Sequence, residues 1–333
     1  MRVLVTGGAG YIGSHTVREL CAQGHAVTVF DNLSKGHVEA VPDGVAFTKG
    51  DIRDSELLGA VLRGSGIEAV VHFAADSLVG ESMQKPSQYY WNNVTGTLNL
   101  LDVMLACEVK KIVFSSTAAV YGEPVGWPIK EEFPTHPTNV YGRTKLVIEG
   151  MLADYAQAYG LNYVSLRYFN AAGAAEHGVI GEDHMPETHL IPLILQTALG
   201  KRDAISIYGA DYPTADGTCI RDYIHVRDLA EAHVLALQHL AVGGESRVFN
   251  LGSETGFSVR QVIDEAKRVT GVDFSVREAA RRSGDPAVLV ASSARIRSEL
   301  GWLPKHSDVR SILSSAWEWH KKHPEGYKSE LAK

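Results

Sequence analysis

Short apolar runs recur along the chain and alternate with stretches of helical periodicity. Residues 2–6 are continuously apolar and Val-rich after Arg2, the pattern of a strand buried on both faces. A helical pattern follows at 12–23, and a second run at 25–30 ends at Asp31. Further runs at 45–48, 69–73, 111–114 and 247–252 predict strands. Long helical patterns cover 86–107 and 141–159, and 221–240 reads as a strand then a helix. This alternation predicts an α/β protein with a Rossmann-type doubly wound parallel sheet. Ligands of such sheets lie at the carboxyl ends of the strands.

The first of those ends carries chemistry. Gly7, Gly10 and Gly13 follow the first strand at once, spaced Gly-x-x-Gly-x-x-Gly. Gly7 permits the tight turn, Gly10 lets backbone N–H groups approach a pyrophosphate, and Gly13 lets the helix pack on the sheet. The helix N-terminus then presents its positive dipole end to the phosphates. Asp31, closing the second strand, is placed to accept from ribose hydroxyls and to repel a 2′-phosphate, which favours NAD over NADP. Strand-end position also puts Asp51, Ile52, Phe73, Ala74, Ala75, Asp76 and Ser77 near the dinucleotide. Single Asp and Ser residues at such positions otherwise serve as helix caps.

Composition narrows the class. The chain has 333 residues, a formal net charge of −7 and an ordinary globular balance, so nothing suggests nucleic acid or an anionic membrane. The start of the chain lacks the pattern of a signal peptide, and no apolar run has membrane-spanning length. Cys21, Cys107 and Cys219 are widely spaced and odd in number, which predicts a reduced, cytoplasmic chain. The histidines, His177, His184 and His189 among them, show neither i, i+4 pairing nor nearby carboxylates. No metal site is expected. There is no Gly-x-Ser-x-Gly elbow either.

Tyr141 and Lys145 lie four residues apart, on one face of a predicted helix. A lysine ammonium beside a phenol favours the phenolate, giving a base for a sugar or alcohol hydroxyl. Upstream, the strand at 111–114 runs into Ser115, Ser116 and Thr117, with the two serines expected as hydrogen-bonding groups beside a nicotinamide. In that context, Gly7-x-x-Gly10-Tyr-Ile-Gly13, Ser115-Ser-Thr-Ala-Ala-Val-Tyr-Gly122, Tyr141-x-x-x-Lys145 and Arg167-Tyr-Phe-Asn170 resemble the extended short-chain dehydrogenase/reductases. Asp211-Tyr-Pro-Thr-Ala-Asp-Gly217 and Arg221-Asp-Tyr-Ile-His225 narrow the resemblance to the UDP-glucose 4-epimerase branch. It runs from the first strand to about Trp302.

The resemblance implies that Tyr141 is the general base and acid at the sugar 4-oxygen. Lys145 holds the nicotinamide ribose, and Thr117 bridges the 4-hydroxyl and the phenol. It implies NAD contacts from Tyr11, Ile12, Asp31, Asn32, Leu33, Ser34, Lys35, Gly36, Asp51, Ile52, Phe73 to Ser77, Asn92 and Phe169. UDP-sugar contacts fall to Asn170, Leu190, Ser206, Ile207, Tyr208, Arg221, Arg282 and Asp285, with Leu289 beside the hexose. Arg221 and Arg282 suit phosphates because guanidinium donors match phosphate oxygens in pairs. Residues 1–169 are expected as the NAD domain, with returns at about 218–252. Residues 170–333 form a smaller, interleaved UDP-sugar lobe. The implied reaction is reversible 4-epimerisation of UDP-glucose and UDP-galactose through a 4-keto sugar, on NAD that stays bound. A homodimer through a four-helix bundle of 86–107 and 141–159 is also implied.

Three alternatives stand beside it. A 4,6-dehydratase is disfavoured, because its relatives place Asp-Glu after the Thr where this chain has Ala118-Ala119. An epimerase for N-acetylhexosamines or uronates is kept open by Leu289, where a Tyr would exclude the N-acetyl group. A non-catalytic NAD-binding protein would usually lack the Tyr or the Lys.

Overall fold

The computed structural model describes residues 1–282 and 285–327. Along the first part run β1 (Arg2–Thr6), α1 (Tyr11–Ala22), β2 (Ala26–Asp31), β3 (Ala46–Lys49), α2 (Ser55–Gly64) and β4 (Ala69–His72). Next come α3 (Val79–Gln84), α4 (Pro86–Tyr89), α5 (Gly96–Ala106), β5 (Lys111–Ser115), α6 (Val140–Tyr159) and β6 (Asn162–Arg167). The chain continues through β7 (Asn170–Ala172), α7 (Leu190–Ala198), β8 (Ile205–Tyr208), β9 (Ile220–Arg221), β10 (Tyr223–His225), α8 (Val226–Ala241) and β11 (Arg247–Asn250). It closes with β12 (Phe257–Ser258), α9 (Val259–Thr270), β13 (Val276–Ala279), β14 (Val288–Leu289), α10 (Ala294–Leu300) and α11 (Val309–Lys322).

The large sheet is parallel, in the order β11-β6-β5-β4-β1-β2-β3. Its runs are continuously apolar because both faces are covered. Val3, Val5, Val71 and Val113 pack against Val17 and Leu20 of α1 and Leu229 and Leu237 of α8. Leu4, Val70, Ile112 and Phe114 face the other way, toward Leu58 of α2, Leu100 and Met104 of α5, and Ile148 and Leu152 of α6. The strand order reverses between β1 and β4, so their carboxyl ends open a crevice at the switch point. The two loops lining that crevice are the ones starting at Gly7 and Phe73.

Smaller sheets carry the second lobe. In it, β8 pairs with β13, and β9 lies between β12 and β14. A separate core of Ile194, Leu195, Val262, Ile263, Ile312 and Leu313 joins α7, α9 and α11. The chain returns from this lobe to the large sheet through β11, which pairs with β6. Among the described residues, no helix is long and apolar enough to cross a membrane.

One predicted element differs. The helical pattern at 86–107 is not a single α-helix: between α4 and α5, Tyr90–Thr95 winds as wider π-type turns. Such a stretch adds a residue per turn and shifts the phase of every side chain after it.

Candidate active site

The glycine loop is held open by the backbone around it. Gly7 has φ 73°, and a Cβ there would lie 2.6 Å from the Ala74 nitrogen. At Gly13 a Cβ would lie 2.1 Å from the Gly7 carbonyl oxygen. Gly10 is the N-cap of α1, and no side chain caps that end. The first N–H groups of α1 therefore face the crevice bare, as an incoming pyrophosphate requires. Tyr11 and Ile12 open the helix itself, with the Tyr11 hydroxyl donating to the Gly173 carbonyl at 2.6 Å.

Asp31 ends β2, buried, and its carboxylate accepts from the N–H groups of Ala9 at 3.0 Å and Leu33 at 2.8 Å. Burial raises its pKa, and those two N–H groups oppose the rise. A carboxylate has about four acceptor sites, so two remain for ribose hydroxyls. In the following loop Asn32 accepts from the Ser34 N–H, Leu33 has a positive φ, Lys35 Nζ reaches the Met185 carbonyl at 3.0 Å, and Gly36 lies against Ala9. These residues fit a dinucleotide.

One expected contact is already engaged within the protein. Asp51 forms a bidentate pair with Arg53, at 2.7 and 2.6 Å, and the guanidinium holds its pKa down at about 2. Asn92 is half-exposed, whereas its neighbour Asn93 is fully buried and central. Asn93 accepts from the Asp76 N–H at 2.8 Å and donates to the Asp76 carbonyl at 3.0 Å and to Thr144 Oγ1 at 3.1 Å. It ties the Ala74, Ala75, Asp76 and Ser77 loop to α6. Asn92, which the resemblance marks as a NAD contact, stands next to this hub and keeps a partly exposed side chain. Ile52 is buried, and Phe73 packs on His233 at 4.6 Å between ring centroids.

Tyr141, Lys145 and Thr117 come together at the carboxyl end of β5. Asn139 starts α6 by accepting the Gly142 N–H at 2.8 Å, which fixes where Tyr141 emerges. Thr117 caps the short turn after β5 by accepting from the Ala119 N–H at 3.1 Å. Burial pushes the Tyr141 phenol up to about 12, and the Thr117 hydroxyl beside it pulls the other way. Burial lowers Lys145 to about 7, with Glu149 opposing. The expected depression of the phenol by Lys145 is thus not what the protein's own groups produce. Lys145 Nζ sits 5.9 Å from the Tyr141 ring centroid and donates to the Ser115 carbonyl at 2.8 Å. Burial is the larger effect on the phenol.

The serine expectations also change. Ser115 Oγ shares a 2.5 Å hydrogen bond with Tyr168, and Ser116 Oγ donates to Glu149 at 2.5 Å. Glu149 is in turn clasped by Arg167, whose Nη1 donates to the Tyr121 hydroxyl at 2.8 Å. Both hydroxyls have partners within the protein, and the Ser115 carbonyl also holds Lys145. Phe169 packs with Ala118, Val120 and Tyr121, and Leu289 joins the same cluster. Leu289 thereby shares a cluster with the turn that follows Thr117.

Across the crevice, a cleft of about 630 Å³ is lined by Trp127, Arg281, Arg282 and Asp285 among others. Arg282 is exposed and lies over the Tyr208 ring, 4.2 Å from its centroid. Arg221 is paired with Asp285. Asn170 donates to the Asp222 carbonyl at 2.8 Å, and Leu190 opens α7 half-buried. Along β8, Ser206 and Tyr208 are accessible while Ile207 turns into the lobe's core. The predicted Ile207 contact is therefore limited to its backbone. Ser283 and Gly284, inside the Arg281 to Pro286 motif, lie outside the described residues.

The histidines bring a further correction. His184 and His189 stand with the carboxylates of Glu182 and Glu187, one donor atom from each lying within 4.8 Å of the others. The sequence expectation of no nearby carboxylates is overturned, because the loop folds back on itself between β7 and α7. The two carboxylates raise the His189 pKa to about 10 against the effect of burial.

Comparison with known proteins agrees with this geometry. Residues 3–252 match the model of the NAD dependent epimerase/dehydratase family. A UDP-glucose 4-epimerase of Halalkalibacterium halodurans is 58% identical over 99% of this chain and 98% of its own. The structure of the UDP-glucose 4-epimerase from Brucella ovis in complex with NAD superposes with a TM-score of 0.93, at 50% identity over 95% of this chain and 97% of that one. The enzyme from Bifidobacterium longum in complex with NAD+ and UDP gives a TM-score of 0.92, at 40% identity over 98% of this chain and 100% of that one. A switch-point crevice with a bare helix end, a buried Tyr141–Lys145–Thr117 group beside it and matches across nearly the full length lead to one conclusion: the chain belongs to the NAD dependent epimerase/dehydratase family.

Proposed function

We propose that this chain is an isomerase that interconverts UDP-glucose and UDP-galactose by transient oxidation at C4 on a retained NAD. The observation that carries this is half-buried Tyr141 on α6, gathered with Thr117 and the buried Lys145 beside a glycine loop shaped for a dinucleotide. The two solved relatives reported above, in complex with NAD in one case and with NAD+ and UDP in the other, support the same ligands here.

A sugar C4–H has no adjacent carbonyl, so its inversion calls for oxidation and re-reduction. NAD, when bound, supplies the acceptor for the electron pair leaving C4 and a cationic ring that favours phenolate over phenol. Tyr141 accepts the proton of the 4-hydroxyl, with Thr117 between the two oxygens, and returns it once the other epimer forms. Lys145, anchored on the Ser115 carbonyl, adds positive charge when protonated. Gly7, Gly10, Gly13, Asp31 and the Phe73 to Ser77 loop hold the dinucleotide. Arg221, Arg282, Asp285, Asn170 and Leu190 hold the UDP-sugar, and for that Asp285 and Arg221 must share their present pair with the ligand.

We assign 1–169, with returns at about 218–252, to the NAD domain and the rest to the substrate lobe. We also infer a cytoplasmic homodimer: Met83, Tyr90, Trp91, Leu98, Val147 and Tyr159 leave an exposed apolar face along α3, the π-type turns, α5 and α6. Leu289 supports acceptance of UDP-N-acetylglucosamine and its 4-epimer, since a branched aliphatic chain leaves room that a Tyr would fill.

The test is incubation of purified protein, with no added cofactor, with UDP-galactose and separately UDP-N-acetylgalactosamine, following the 4-epimers by NMR. Conversion of both supports the whole reading. Conversion of UDP-galactose alone removes the wider pocket. Conversion of neither, even with added NAD, overturns the assigned reaction.

A further inference from the structure

We propose that Glu182, His184, Glu187 and His189 bind a divalent first-row transition-metal ion of the zinc class, at a site separate from Tyr141, Lys145 and Thr117. The donors are already gathered. His189 Nδ1 lies 2.8 Å from Glu182 Oε1 and 3.1 Å from Glu187 Oε1. His184 Nδ1 lies 3.2 Å from Glu182 Oε1 and 3.8 Å from Glu187 Oε2. Metal–ligand bonds of about 2.0–2.2 Å at tetrahedral angles set donor atoms about 3.3–3.5 Å apart. These four separations bracket that value and the whole donor set lies within 4.8 Å, so rotamer adjustments bring the donors into range.

Two features point to a cation rather than to an ordinary salt-bridge cluster. His184 Nδ1 is enclosed and has no hydrogen-bond partner among the described residues, although a carboxylate oxygen is 3.2 Å away. An imidazole nitrogen this close to a carboxylate without a hydrogen-bond geometry is placed as a co-ligand would be. Glu182 is the second feature: its side chain is only 5% exposed and needs charge compensation, which His189 supplies while protonated and a divalent ion would supply by displacing that proton. The side chains of His184 and His189 remain 23% and 42% exposed, which leaves an entry path.

Donor chemistry sets the class of ion. Two imidazoles with two carboxylates suit zinc-like ions, whereas magnesium and calcium prefer oxygen-only shells. The surroundings orient the ligands. Glu187 Oε1 accepts the N–H groups of Thr188 at 2.7 Å and His189 at 2.8 Å, and the Tyr11 ring meets His184 edge-on at 6.2 Å between centroids. The segment so pinned touches Lys35 through the Met185 carbonyl and leads directly into Leu190. The ion would brace the strap joining the glycine-loop side to the substrate lobe.

The test uses full-length protein with its retained NAD, stripped with a chelator and titrated with zinc chloride by calorimetry. Metal content is measured by mass spectrometry after gel filtration, and melting temperature is recorded with and without zinc. One zinc per chain is expected, with a rise in melting temperature of several degrees. His184→Gln and His189→Gln should each lose both, while their NAD absorbance shows the fold intact. Zinc absent from the wild type, or retained equally by both variants, overturns the site. Magnesium binding as tightly as zinc overturns the assigned class.

Discussion

On the glycine-loop side of the crevice, the shape is set by main chain against main chain. A Cβ on Gly7 or Gly13 would meet backbone atoms at 2.6 or 2.1 Å, and Asp31 is locked by two backbone N–H groups. On the opposite side, side chains make the site: exposed Arg282 rests on Tyr208, Arg221 pairs with Asp285, and the cleft stays open. Backbone positions cannot relax without moving the sheet, whereas long side chains trade partners at little cost. The contrast suits a protein that keeps one ligand through every cycle and lets the other come, turn over and leave. The proposed variants probe the seam between the sides, then each side in turn.

The largest effect is expected at the seam. Tyr141→Phe should lower turnover by about 10²–10⁴-fold while leaving NAD bound, because the phenol's proton is lost but its bulk is kept. Turnover and the NAD absorbance of the purified variant check this together. Near-normal turnover would remove Tyr141 from the proton path.

Lys145 lies at the same seam and carries a stability cost. Its folded pKa of about 7 lies below the usual lysine value of 10.5. The unfolded chain therefore binds more protons between those values, and stability rises with pH across that window. Below pH ~7 the full penalty of burying the ammonium applies. Lys145→Met should abolish most activity yet raise stability by about 2–4 kcal/mol at pH 6, after allowing for the lost bond to Ser115. That gain should shrink toward pH 10. Denaturant melts at several pH values read both the sign and the slope. A gain that does not vary with pH would mean that packing, not charge burial, is responsible.

Gly13→Ala tests the backbone-built side alone. The Cβ would sit 2.1 Å from the Gly7 carbonyl oxygen, so the loop must shift. Overpacking of this kind costs about 1–3 kcal/mol. Part of that should appear as weaker NAD retention, measured as cofactor lost on gel filtration. Full retention would show that the loop gives way more easily than its geometry implies.

These regions differed in the same way in how far the sequence exposed them. The parallel strands, the glycine loop and the Tyr141–Lys145 pair were legible because each follows from local pattern: continuous apolar runs, fixed glycine spacing, helical i, i+4 geometry. What stayed hidden depends on partners distant in the chain or on a change of phase. The π-type turns at Tyr90–Thr95 break the expected single helix, and Asn93 within them is tied to Asp76 and Thr144, which are distant in the chain. Ser115 and Ser116 were drawn off by Tyr168 and Glu149, over 30 residues away. The Glu182, His184, Glu187 and His189 group has no regular spacing and forms only where the loop doubles back. The raised phenol of Tyr141 was hidden too, since burial is a property of the whole fold.

The smallest effect is expected on the side-chain-built side. Arg282→Ala removes an exposed guanidinium that rests on Tyr208 and has no ion pair among the described residues. If it grips a diphosphate equally before and during reaction, its loss is a loss of uniform binding. KM for UDP-galactose should then rise about tenfold or less with kcat unchanged, because an exposed charge-assisted contact is worth roughly 1 kcal/mol. The rise should shrink in high salt, where such contacts are screened. A fall in kcat instead would mean that Arg282 also helps to set the sugar's position at C4. The substrate side would then be more rigidly organised than its exposed arginine and open cleft imply, and the contrast with the glycine loop would narrow.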